Sequence, residues 1–130
     1  MDRSKDLLAD AEDFLGAAHD LLKASRWSKV CFSSQQAVEL GLKAVLNRLG
    51  VERRSHALTE LLEEVCSHMP EARRFEEHAK LLDQYYIPTR YPNAYSSGAA
   101  KDRYTETQAK QAVQLASEVL EWVRRVVLQR

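Results

Sequence analysis

Proline and glycine are both scarce in this chain of 130 residues, which holds three prolines and four glycines. Obligatory backbone breaks are therefore few, and their positions segment the chain. There are two cysteines, Cys31 and Cys66; a single pair without metal-ligand spacing excludes a disulfide-dense scaffold and a zinc ribbon, and both read as reduced thiols acting as small hydrophobes. Charge of one sign is not in excess either, with 19 basic against 19 acidic residues. That balance argues against a protein that coats nucleic acid nonspecifically, although a local patch is compatible with it. No apolar run approaches the roughly 18 residues of a membrane span, and the first residues carry no apolar signal core. The simplest location is the cytoplasm, with no membrane partner. Also missing are a glycine-rich phosphate loop, His-Glu-x-x-His, Cys-x-x-Cys and a nucleophile elbow. The four histidines are scattered, so no catalytic residue, metal or cofactor is assigned.

What is there is helical periodicity. Leu7, Leu8, Ala11, Phe14, Leu15, Ala18, Leu21 and Leu22 recur at helical spacing and predict a first helix from about Ser4 to Lys23. A second is predicted from about Trp27 to Leu49, ended by Gly50 in the position that favours glycine. It is apolar on two sides, through Cys31, Ser34, Val38, Leu42 and Val45 on one face and Val30, Ala37 and Ala44 on the other. Such a helix belongs in the middle of a bundle. Its one narrow polar stripe is Gln36, Glu39 and Lys43, an amide, an acid and a base at spacings of three and four. The plainer expectation for that stripe is an ion pair on an exposed edge.

Ser55 is placed to cap a third helix over about His56 to His68, and Pro70 suits the first turn of a fourth, from Glu71 to about Gln84. Thr105 and Gln108 form a capping box for a last helix ending near Leu128. No stretch alternates with period two. The expected fold is therefore all-α, an up-and-down bundle of about five helices forming one domain over residues 1–130.

Between the fourth and last helices lies the stretch that departs most from this pattern. Asp83 to Tyr95 holds four of the five tyrosines and two of the three prolines. Pro88 and Pro92 bias Ile87 and Tyr91 out of the α region, so helix cannot pass. A loop this aromatic should fold back in part onto the helices. Arg90 stands among its tyrosines, and a guanidinium so placed suits a base or phosphate as well as a protein interface, where tyrosine and arginine are enriched anchors.

Three separated runs, Gln35-Gln36-Ala37-Val38-Glu39-Leu40-Gly41-Leu42-Lys43-Ala44, Ser55-His56-Ala57-Leu58 and Tyr86-Ile87-Pro88-Thr89-Arg90-Tyr91-Pro92-Asn93, resemble in order and spacing the HEPN family, the helical domains named for higher eukaryotes and prokaryotes nucleotide-binding. The resemblance implies a helical bundle with an extra short helix, a homodimer, and pairing with a small nucleotidyltransferase protein. Many members of that family are metal-independent ribonucleases that use an arginine followed, after four to six residues, by a histidine. Here the motif would begin at Arg90, the residue after a four-residue gap is Tyr95, and no histidine follows. Tyrosine is a poor proton acceptor near neutral pH, so the departure argues against ribonuclease activity. Arg73 and His78 fit the spacing literally, but five helical positions separate side chains by about 140° and a match this short arises by chance. The resulting expectation is a noncatalytic, homodimeric interaction module. It would bind a nucleotidyltransferase, with a nucleotide or RNA as a further ligand, through Gln36, Glu39, Lys43, Arg90, Tyr91 and Tyr95. The alternative is a ribonuclease toxin of a toxin-antitoxin pair.

Overall fold

A computed structural model describes residues 2–86 and 98–129. Among these are five α-helices, α1 (Ser4–Lys23), α2 (Trp27–Arg48), α3 (Leu58–His68), α4 (Glu76–Asp83) and α5 (Glu106–Leu128), with 3-10 segments at Pro70–Phe75 and Ala100–Arg103 and no strand. They form an up-and-down bundle. No helix among the described residues is long and apolar enough to cross a membrane.

The two-sided apolar pattern of α2 places it at the centre. Val30, Cys31, Ala37, Val38, Leu42, Ala44, Val45 and Leu46 are all buried, and α2 packs on α1, α5 and the start of α3. Burial pushes the Cys31 thiol up to about 12, so it is not a nucleophile near neutral pH. Gly41 is the close-approach point. A Cβ built there would lie 2.5 Å from Leu120 Cδ2 of α5, so the absence of a side chain lets the two helices meet. Helix α2 ends in a Schellman motif: Gly50 N–H donates to the Asn47 carbonyl at 3.1 Å, Val51 N–H to that of Leu46 at 2.8 Å, and Gly50 has φ of 76°. The preceding turn repeats the device with a less suited residue, Ser25 at φ of 61°.

Two local readings change in the structure. Helix α3 begins at Leu58, not His56, and Ser55 does not cap it; the Ser55 hydroxyl instead accepts from Ala57 N–H at 3.0 Å. Its first amides are satisfied from a distance, since the Asp83 carboxylate accepts from Leu58 N–H at 2.6 Å and Thr59 N–H at 3.1 Å. An acid at the end of α4 therefore caps α3 and suits its dipole. The predicted fourth helix divides into the 3-10 turn Pro70–Phe75 and α4. The capping box of α5 forms as read, with Gln108 N–H donating to Thr105 Oγ1 and Thr105 N–H to Gln108 Oε1.

Two substitutions test this frame. Gly41→Leu should destabilise the chain by about 1–3 kcal/mol through overpacking against Leu120, read from urea unfolding. Asp83→Ala should cost about 1 kcal/mol through loss of the remote cap, with little loss of helical circular dichroism.

Candidate functional site

The site is built on a glutamate that the helical pattern placed at an edge and the fold places inside. Glu39 is 4% exposed, which corrects the expectation of an exposed pair. The reason is the connection before α3, whose His56 closes on Glu39 and Gln35 of α2. A carboxylate taken from water needs donors, and four side chains converge on it. Lys43 Nζ donates to Oε2 at 2.9 Å, and His56 Nδ1 lies 2.9 Å from the same oxygen. Gln35 Nε2 and Gln36 Nε2 each approach Oε1 at 3.4 Å. The two glutamines are tied together, Gln36 Nε2 donating to Gln35 Oε1 at 2.7 Å, and Gln35 also donates to the His56 carbonyl at 3.3 Å. Gln35 is wholly buried.

His56 leads from this buried network to the surface. A carboxylate accepts only, so Nδ1 carries a proton, and in the neutral tautomer Nε2 is the acceptor. The His56 side chain is 64% exposed. Its ring stacks on Tyr86, with centroids 5.3 Å apart and planes 9° from parallel, and Tyr86 also lies against Phe32 of α2 at 6.4 Å. Tyr85, one residue earlier, is buried and meets Tyr104 edge to face at 5.8 Å. The expected folding back of the aromatic stretch is thus seen at both of its described tyrosines.

Of the residues proposed from sequence, Gln36, Glu39 and Lys43 are brought together. Arg90, Tyr91 and Tyr95 lie outside the described residues. Arg73 and His78 are engaged elsewhere: Arg73 donates to Glu63 at 2.8 Å and to Glu76 at 3.2 Å, while His78 Nε2 lies 2.8 Å from Glu118. Gln114, and then His78, hold the Glu118 carboxyl below its ordinary range.

Residues 4–126 match the HEPN domain family. The chain belongs to that family. Among solved structures, the HEPN fold of this chain is similar to TT1696 from Thermus thermophilus, at 35% identity and a TM-score of 0.92, covering 97% of this chain and 99% of the other. It is likewise similar to ST0689, described as an archaeal HEPN homologue, at 31% identity and a TM-score of 0.82 over 98% and 99% of the two chains. A curated relative from Methanocaldococcus jannaschii, named "Putative toxin MJ1304", is 28% identical over 123 residues, 88% of this chain and 81% of the relative.

Within this HEPN domain, sequence reasoning passed over Gln35, His56 and Tyr86 as site residues. Gln35 did carry a periodic signal, since it stands four residues after Cys31 and three before Val38, on the apolar face of α2 rather than on the polar stripe. His56 did carry a signal: it stands in the second of the three motif runs, and a histidine there is next to α3 and within reach of α2.

The network predicts an asymmetry. Glu39→Ala should lower the unfolding free energy by about 2–3 kcal/mol, because it strands partly buried donors, whereas His56→Ala, at a mostly exposed ring, should cost less than about 1 kcal/mol. Urea titrations of the two variants check this; equal losses would show that Glu39 is not the anchor.

Proposed function

We propose that this HEPN domain is a noncatalytic, homodimeric interaction module acting in the cytoplasm, whose working edge is the junction of α2 and α3 continued by the tyrosine-arginine stretch. Its partner in this reading is a small nucleotidyltransferase protein, and a nucleotide is a further ligand. The observation that carries it is the Glu39 network. Four donors saturate one buried carboxylate, so Glu39 holds a surface in place, and the groups it presents are His56 and Tyr86. Rigid aromatic and hydrogen-bonding groups on a fixed scaffold suit recognition. Arg90, Tyr91 and Tyr95 follow Tyr86 closely in the chain and supply the anchor types enriched at interfaces. The absence of any histidine after Arg90 supports the noncatalytic reading.

A ribonuclease toxin is the second reading. The name of the M. jannaschii relative favours it, and so does an exposed imidazole oriented by a carboxylate, a geometry that also serves proton transfer.

Coexpression with a nucleotidyltransferase encoded beside this chain tests the first reading. The two should copurify, and the double variant Arg90→Ala, Tyr91→Ala should weaken the complex at least about ten-fold, as loss of two interface anchors implies. Undiminished binding would overturn the site. Growth arrest and degraded RNA on expressing the chain alone, abolished by His56→Ala, would replace the first reading with the second.

A further inference from the structure

The N-terminal end of α2 carries a local excess of positive charge that the overall balance conceals. A cavity of about 230 Å³ opens there, beside the turn that joins α1 to α2 and the 3-10 segment Ala100–Arg103. Arg26, Lys29 and Lys101 line it with one acid, Asp102, which Lys101 meets at 3.2 Å in a pair lying largely in solvent. Such a pair contributes little. Arg26 and Lys29 are exposed and make no ion pair among the described residues. Half-buried Trp27 supplies the apolar wall.

Two further observations point to an anion. Helix α2 has no capping side chain: Arg26 holds the N-cap position, and Val30 N–H is the first amide to bond back, to the Arg26 carbonyl at 3.0 Å. The amides of Trp27, Ser28 and Lys29 therefore have no acceptor among the described residues, at the positive end of a helix of 22 residues. Ser28 also lines the cavity. It is only 2% exposed, and its hydroxyl has no hydrogen-bond partner among the described residues, whereas polar groups so enclosed are normally satisfied.

We propose that this cavity docks an acidic segment of a partner protein. One carboxylate takes the free amides of Trp27, Ser28 and Lys29 together with the Ser28 hydroxyl, and its methylene stem lies on Trp27. Arg26, Lys29 and Lys101 hold the neighbouring acids. Charge-assisted bonds of this kind are the strong ones, and a helix N-terminus is preformed for an anion. The volume decides between a side chain and a whole small molecule. It falls below the roughly 300 Å³ at which small-molecule sites begin, so the site fits one residue of a larger partner. The balance of 19 basic against 19 acidic residues favours protein acids over a nucleic-acid backbone. Glu39 stands about 18 Å further along α2, at roughly 1.5 Å per residue. The site is thus separate from the α2–α3 junction and does not rest on the reading given to it.

The test is a nuclear magnetic resonance titration of the nitrogen-15 labelled full chain, at low salt, with a blocked hexaglutamate peptide, a blocked hexaglutamine peptide and hexauridylate RNA. Hexaglutamate is expected to shift the amide signals of Trp27, Ser28 and Lys29, and to bind at least about ten-fold more tightly than hexaglutamine, the discrimination that one charged hydrogen bond supplies. The paired variant Arg26→Ala, Lys29→Ala should lose at least about ten-fold of that affinity with its circular dichroism unchanged. Absence of shifts at these three amides up to millimolar peptide, shifts confined to Arg53 and Arg54, equal binding of hexaglutamine, or affinity unaffected by the paired variant would overturn the site. Tighter binding of hexauridylate at the same amides would assign the patch to nucleic acid and overturn it as well.

Discussion

One buried carboxylate sets the terms for the junction of α2 and α3. Glu39 sits on the central helix, 4% exposed, where an unpaired charge would be strongly unfavourable. Its donors come from its own helix, at positions four before, three before and four after it, and from the connection ahead of α3. The first three follow from α-helical geometry, because those spacings share a face. The fourth requires the chain to return, and so fastens the junction of α2 and α3. Removing the acid would leave Lys43 Nζ and His56 Nδ1 without the oxygen they share, while the glutamines keep the Gln35 Oε1 and His56 carbonyl acceptors, so the loss falls on the charged half of the network.

The same junction receives the far end of α4. Asp83 supplies the remote cap of α3, and Tyr86 three residues later lies flat on His56. Two contacts of different physical kind, an ionic cap and a ring stack, thus fix the end of α4 and Tyr86 against the junction of α2 and α3. Loops placed by a rigid scaffold are where recognition concentrates. Here the scaffold is held by packing on the other faces of α2, including the point where Gly41 lets α2 approach α5.

Most of the architecture was legible in the sequence because it rests on local chemistry. Periodicity marked the buried faces of α2, α3 and α5, and Gly50, Pro70 and the Thr105-Gln108 box marked boundaries by backbone constraint. What stayed hidden was whatever depends on contacts distant in the chain. Ser55 has the right chemistry for a cap, yet Asp83 won the position from 25 residues away. Glu39 is polar and lies on the polar stripe, so its burial could not be read from pattern. Only the return of the chain before α3 covers it. Gln36, Glu39 and Lys43 were found by spacing, while Gln35, His56 and Tyr86 joined them only in three dimensions.

The proposed working edge depends on Glu39 fixing the His56 ring and its tautomer. Side-chain nitrogen NMR of His56 tests this directly. The neutral ring should carry its proton on Nδ1, protected from exchange, and that protection should vanish in Glu39→Ala. A neutral ring protonated at Nε2, or one indifferent to that substitution, would contradict the central role given to Glu39.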